Sequence, residues 1–222
     1  MAPVTALIFD MDGTMVESMP AHARSWDAFR QRHGIDMSVE EILRRTTGRT
    51  GVECIRELMG DQVSDEEATR LVGEKEAIYR EIFAKEFREV AGFGRFAQQA
   101  QARGLKIAVA TAGDRHNLAF VLKHLQLQRA PDAQVRGDQG LPGKPEPDIF
   151  LQAAKSVGAD PRACIVFEDA PFGIEAARRA GMRAVAICST HKADELAGPH
   201  VIASVRNYEE LMKNNFLESL HA

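Results

Sequence analysis

The chain has 222 residues, 45% of them hydrophobic, and a formal net charge of −4, enough for one large core or a core with an insertion. No basic stripe breaks the mild acidity, which argues against a nucleic-acid partner, and Cys54, Cys164 and Cys188 stand singly, which argues against a zinc site or a disulfide framework. No apolar run approaches the roughly 20 residues that cross a bilayer and no secretory leader precedes Asp10, so a cytoplasmic protein without membrane contact is expected, with a monomer as the default.

The first element is Ala6-Leu7-Ile8-Phe9, a short apolar run bounded by Pro3 and an Asp-Gly turn signal. It reads as a strand buried on both faces of a parallel sheet. Its carboxyl end carries Asp10-Met11-Asp12-Gly13-Thr14, and open α/β sheets bind ligands at that end of their strands. If the chain stays extended, Asp10 and Asp12 point one way and Met11 points back into the core. Two carboxylates so close raise one another's pKa or share a cation. A divalent ion would leave one as a nucleophile, while the other could carry a proton as general acid and base. Gly13 permits a sharp turn. An acid-rich turn alone, such as a fragment of a Ca²⁺ loop, has the same letters.

From Pro20 to Phe87 the pattern is helical, with Trp26 and Phe29, Ile42 and Leu43, Ile55, Leu58 and Met59, then Ile78, Ile82 and Phe83 at three- and four-residue spacings. Afterwards helices and strands alternate. Helices are expected over Phe93–Arg103, His116–Leu125, Pro147–Val157 and Pro171–Ala180, the first and last closed by Gly104 and Gly181. Strands are expected over Lys106–Ala110, Ala163–Phe167 and Arg183–Ile187. Repeated βα units imply an α/β fold with a Rossmann-like, doubly wound parallel sheet core. The helical stretch is then an inserted all-helical cap domain, 16–89, between core segments 1–15 and 90–222.

Three later segments carry groups suited to phosphorus chemistry. Thr111-Ala112-Gly113 offers a hydroxyl and free amides before a helix that Asp114 can cap. Gly143-Lys144-Pro145-Glu146-Pro147-Asp148 holds a lysine between a glycine and a proline, where its ammonium can meet a phosphate and steady a carboxylate. Glu168-Asp169-Ala170-Pro171 ends the strand Ala163–Phe167 with a second acidic pair, hard oxygen ligands that suit Mg²⁺. Asp138, in the turn-rich stretch before Lys144, is a further candidate for positioning that lysine.

In this order the four segments resemble the four motifs of the haloacid dehalogenase superfamily of phosphotransferases, and the helical insertion resembles its small helical cap. The likeness is nearest to β-phosphoglucomutase-like and sugar-phosphate phosphatase members, through Val166-Phe167-Glu168-Asp169-Ala170-Pro171-Phe172-Gly173-Ile174 and Gly143 to Asp148. The resemblance implies Asp10 as the nucleophile that becomes an aspartyl phosphate, and Asp12 as general acid and base. It implies Thr111, Ala112 and Lys144 as phosphate binders. It implies a Mg²⁺ cofactor held by Asp10, the Asp12 carbonyl and Asp169 with Glu168 nearby. In the cap it implies substrate roles for His22 and Lys75, which line up with a histidine and a lysine of the mutase.

The loop Gly48-Arg49-Thr50-Gly51 departs from the mutase, in which an arginine three residues after the glycine grips the second phosphate of a bisphosphate. Here Gly51 takes that place. Arg49 and Thr50 remain candidates for substrate contact. The expected activity is therefore Mg²⁺-dependent hydrolysis of a small phosphorylated metabolite, most simply a sugar phosphate. A β-phosphoglucomutase-type isomerase interconverting sugar 1- and 6-phosphates is the alternative.

Overall fold

The computed structural model describes residues 3–220. Strand β1 (Ala6–Phe9) leads into four helices, α1 (Met19–His33), α2 (Val39–Thr46), α3 (Gly51–Met59) and α4 (Asp65–Phe83). The chain then alternates through α5 (Phe93–Ala102), β2 (Lys106–Thr111), α6 (Arg115–Leu125), β3 (Ala133–Arg136), α7 (Asp148–Ser156), β4 (Cys164–Glu168), α8 (Pro171–Arg179) and β5 (Arg183–Ile187). It closes with β6 (Val201–Val205), α9 (Tyr208–Lys213) and α10 (Phe216–Ser219).

All six strands are parallel, in the order β3-β2-β1-β4-β5-β6. The order reverses at β1, where Phe9 lies between Val109 and Phe167. That reversal opens a crevice at the carboxyl ends of the strands, where sheets of this kind bind ligands. Asp10 follows at once, its N–H donating to the Phe167 carbonyl at 3.0 Å.

Strand periodicity divides the core in two. Leu7, Phe9, Val109, Phe167 and Val185 face one layer, where Phe93, Phe96 and Tyr208 pack edge and tilted against Phe9. Ala6, Ala108, Ala110, Ala184 and Ala186 face the other, and their small side chains let α7 and α8 lie close through Phe150 and Ile174. The helices α1–α4 have a separate cluster of Trp26, Phe29, Ile42, Ile55, Ala68 and Leu71. Three Ser/Thr-x-x-Glu segments divide that helical stretch: the hydroxyls of Ser38, Thr50 and Ser64 accept from the N–H groups of Glu41, Glu53 and Glu67.

The chain leaves the sheet for the helices and returns along one seam. Val16 bridges antiparallel to Glu89, Glu17 N–H donates to the Arg88 carbonyl at 2.9 Å, and Val90 N–H donates to the Met15 carbonyl at 3.0 Å.

The strand and helix expectations for the inner sheet match the observed elements to within a residue or two. The edge strands β3 and β6 and the terminal helices α9 and α10 are additions to the sequence reading. In β3 only Val135 is fully buried, and β6 alternates between half-buried and exposed positions until buried Val205. Neither is the continuous apolar run that marked the inner strands. No helix among the described residues is long and apolar enough to cross a membrane.

Candidate active site

At the carboxyl edge of β1, β2 and β4 a cavity of about 110 Å³ lies between the sheet and helices α1–α4, room for several water molecules. Asp10, Asp12, Thr111, Ala112, Lys144, Glu168 and Asp169 all line it, as do His22, Arg49 and Lys75 from the helical side. Thr50 does not. Its hydroxyl and N–H are engaged with Glu53 in the capping box that starts α3. Asp138 makes no hydrogen bond to Lys144 among the described residues; it accepts from Arg115 N–H at 3.2 Å and from Arg136 at 2.9 Å. Its own side chain therefore braces the turn after β3 rather than the lysine.

Lys144 is buried and donates to Asp10 Oδ1 at 2.5 Å and to Glu168 Oε1 at 2.6 Å. Burial works against its charge, but the two carboxylates beside it hold the ammonium above its usual pKa. The other oxygen of Glu168 accepts from the N–H groups of Asp169 and Ala170, both at 2.8 Å. Glu168 thus pins the lysine and shapes the loop, with Asp10 and Asp169 beside it at the cavity.

Asp169 Oδ1 accepts from Thr14 at 3.1 Å and Oδ2 accepts from Thr190, while His191 Nδ1 donates to the Asp169 carbonyl at 2.9 Å. Gly13 packs so closely that a Cβ there would lie 2.1 Å from Asp169 Oδ2, and its φ of +80° is one that side-chain-bearing residues rarely adopt. Three buried carboxylates therefore surround one ammonium. Burial, with neighbouring negative charge, raises the pKa of Asp10 well above the ordinary carboxylate value and that of Asp169 to about 7. The carboxylate oxygens here are hard donors of the kind Mg²⁺ takes, although among the described residues no group of three or more acidic, histidine or cysteine side chains is drawn together closely enough to hold a metal ion.

Asp12 has different surroundings. Its Oδ1 accepts from Ser18 at 2.6 Å, from Tyr79 at 3.2 Å and from His22 Nε2 at 3.1 Å. Lys75 Nζ sits 2.8 Å from His22 Nδ1. An ammonium only donates, so Nδ1 accepts and Nε2 carries the hydrogen shared with Asp12. Tyr79 stacks on the His22 ring at 3.9 Å and fixes its plane. Burial pushes the Asp12 carboxyl up, but His22, Ser18 and Lys75 outweigh it and hold the group below its ordinary value. The two aspartates of one short motif are thus held with opposite proton affinities.

Thr111 is buried, and its Oγ1 accepts from Gly113 N–H at 2.9 Å, which leaves its hydroxyl hydrogen free to donate. Asp114 Oδ1 accepts from Asn117 N–H at 2.8 Å and caps α6. The helical side is drawn onto the sheet side at two further places. Glu53 accepts from Gly143 N–H at 3.2 Å, and Glu76 accepts from Asn117 Nδ2 at 2.6 Å.

Ser18, Tyr79, Glu76, Asn117 and Thr190 were absent from the sequence reading. Tyr79 falls one turn after Lys75 on the same face of α4, a spacing that marks it. Thr190 lies just past β5, at the same edge as the other motifs. Glu76 and Asn117 had no local signal.

Residues 4–181 match the family described as haloacid dehalogenase-like hydrolase. The chain belongs to that family. Among relatives of this haloacid dehalogenase-like chain, it is 33% identical to protein CbbY of Rhodobacter capsulatus, over 81% of this chain and 83% of that one. It is likewise 33% identical to the fructose-1-phosphate phosphatase YqaB of Escherichia coli, over 81% and 94% of the two chains. A hydrolase from Pseudomonas syringae superposes with a TM-score of 0.85 at 27% identity, covering 98% of this chain and 100% of the other.

Proposed function

We propose that this enzyme is a Mg²⁺-dependent phosphatase of small phosphorylated sugars, acting through an aspartyl phosphate on Asp10. The reading rests on one observation above the others. Asp10 has one oxygen held by Lys144, and its Oδ2 has no donor among the described residues, so it is aimed yet uncommitted. Similarity to a fructose-1-phosphate phosphatase supports the substrate class.

Asp10 attacks phosphorus as the bond to the ester oxygen breaks, and Asp12 delivers a proton to that oxygen. Water then attacks the phosphorus of the aspartyl phosphate, Asp12 takes its proton, and the Asp10–phosphate bond breaks to release inorganic phosphate. Asp12 rests as the anion, because its partners hold its proton affinity low; it takes a proton from the monoanionic ester as that binds and returns the one taken from water to the departing phosphate. Lys144, Thr111 and the amides after Thr111 bind the transferring oxygens. Asp10, the Asp12 carbonyl and Asp169 would hold Mg²⁺, with Glu168 steadying Lys144. When bound, the ion neutralises charge on the phosphoryl group and on the carboxylates.

In this reading segment 16–89 is a cap over core segments 1–15 and 90–222, hinged where Val16 meets Glu89. His22 travels with the cap and meets Asp12, with Lys75 backing its other ring nitrogen, only when the cap is closed, which ties the proton-handling group to a covered, water-poor site. Gly51, where the mutase has its phosphate-gripping arginine, favours water as the acceptor over a sugar hydroxyl.

The test is phosphate release from fructose 1-phosphate and p-nitrophenyl phosphate with Mg²⁺, repeated after chelation. Stoichiometric phosphate, lost with chelator, is expected. Isomerisation of a sugar 1-phosphate that depends on catalytic bisphosphate would instead make the protein a mutase.

A further inference from the structure

The transferring phosphate lies against Asp10, so the rest of the ester must lie against the wall built by α1–α4. Met19, Trp26, Leu43 and Val72 make that wall largely apolar, suited to the C–H face of a sugar. Its charged lining groups are Lys75, Glu76 and Arg49, together with His22.

Lys75 is already committed. Its ammonium lies 2.9 Å from Glu76 Oε1 and 2.8 Å from His22 Nδ1, and stands 4.8 Å over the Trp26 ring. Glu76 is fixed at both oxygens, Oε1 by Lys75 and Oε2 by Asn117 Nδ2 at 2.6 Å. Asn117 is itself held, its Oδ1 accepting from Arg80 at 2.8 Å and its N–H donating to Asp114. The carboxylate cannot swing aside. Burial pushes its pKa up, yet Lys75, His22 and Asn117 outweigh that and keep it ionised. Arg49 is half-exposed and leans on Glu57 at 3.4 Å.

The wall thus holds one fixed anion, one cation bound to that anion, and an arginine already paired at its outer edge. A phosphate, carrying roughly −1.5 to −2 charges at pH 7, meets the fixed Glu76 anion there, and the cation that could offset it, half-exposed Arg49, sits at the outer edge beside Glu57. A hydroxyl finds a partner, because each Glu76 oxygen keeps lone pairs for it.

We infer that Glu76 is a specificity-determining residue, which accepts hydroxyl groups of the leaving alcohol and excludes esters that carry a second phosphate. The inference rests on the phosphatase reading and narrows its substrate class to monophosphates of polyols and sugars. Specificity of this kind comes from a repulsive element as much as from an attractive one.

The test compares kcat/KM for fructose 1-phosphate and fructose 1,6-bisphosphate, with Mg²⁺ in excess. The wild-type protein is expected to favour the monophosphate by about tenfold or more, the cost of like charges in an enclosed site. Glu76→Gln keeps the shape and, with its oxygen on Asn117, that contact, but removes the charge and releases Lys75 from its partner, and is expected to narrow the preference several-fold, chiefly through a lower KM for the bisphosphate. Equal or better use of the bisphosphate by the wild type, or an unmoved ratio in a folded Glu76→Gln protein, overturns the inference. If Glu76→Gln does not fold, the wild-type ratio alone decides. Turnover of neither ester would strike at the phosphatase reading instead. Calorimetric titration of Asp10→Asn protein with both esters then still decides, tighter binding of the monophosphate supporting the inference and equal binding ending it.

Discussion

Lys144 Nζ and Asp10 Oδ1 meet at 2.5 Å although 134 residues separate them in the chain. The contact exists because β1 is central and Lys144 precedes α7, which packs on the alanine-rich face of the same sheet. Lys144 is the cation among Asp10, Glu168 and Asp169, so its loss leaves three buried carboxylates unpaired by any side-chain ammonium. Breaking a buried pair by removing one partner typically costs about 3–5 kcal/mol. Lys144→Met is expected to lower the midpoint of urea unfolding in metal-free buffer by a corresponding amount and to reduce phosphate release by about a hundredfold or more. An unaltered midpoint would mean that the charge is balanced by something else.

The pair Asp10 and Asp12 separates by variant. In the proposed mechanism Asp10→Asn removes the nucleophile and is expected to abolish turnover, with no phosphorylated protein trapped by rapid acid quench. Asp12→Asn removes only the proton carrier, so slow phosphorylation by an activated ester such as p-nitrophenyl phosphate persists while phosphate release is lost. Both proteins should keep the wild-type circular dichroism spectrum, since each change is nearly isosteric. Wild-type rates from purified Asp10→Asn protein would remove the nucleophile assignment.

The inner sheet was legible because strands buried on both faces must carry continuous apolar runs: 6–9, 107–110, 164–167 and 184–187 all are. Strands β3 and β6 lie at the sheet edges, keep polar residues such as Gln134 and Ser204, and look like loop in isolation. The same logic governs the site. Groups immediately after a strand, from Asp10 to Asp169, inherit their place from the sheet. Groups on helix faces do not: α4 carries Glu74, Lys75, Glu76, Tyr79 and Arg80, and only packing against α1 and α6 decides which of them meet the cavity. The loop from Gly48 to Gly51 carries its own local signal, since Thr50 followed three residues later by Glu53 is a helix-capping signature before it is a substrate contact.

Gly13 offers a test of the crowding beside Asp169. An added methyl would fall 2.1 Å from Asp169 Oδ2, and the φ of +80° disfavours any side chain, by about 1–2 kcal/mol from the backbone alone. Asp169 must move away from its contacts with Thr14 and Thr190. Gly13→Ala is therefore expected to raise the Mg²⁺ concentration needed for half-maximal phosphate release by about tenfold, as for disturbed ligand positioning elsewhere, with lower thermal stability. The metal titration checks it, and a curve unchanged from wild type would show that Asp169 does not set metal affinity.

The charge excess around Asp169 makes the metal-free protein respond to pH in a direction opposite to ordinary acid denaturation. Asp169 is raised to about 7 in the folded chain from an ordinary carboxylate value of 3.8. Between those two values the folded state binds a proton that the unfolded state does not, so this group makes folding more favourable as pH falls, by at most about 1.4 kcal/mol per pH unit. Above about pH 7 the carboxylate is buried and charged, and the full penalty applies; below about 4 the carboxyl is neutral in both states and the effect levels off. Urea unfolding in EDTA is expected to show a higher midpoint at pH 5.5 than at pH 7.5. Saturating Mg²⁺ should reduce or reverse that slope, because a bound cation replaces the proton and stabilises the folded state by mass action. Asp169→Asn removes one of the two raised carboxyls, Asp10 being the other, and should reduce the metal-free slope. A metal-free protein that loses stability steadily from pH 7.5 to 5.5, with Asp169→Asn behaving the same way, would show that these carboxylates are not crowded as the geometry has them.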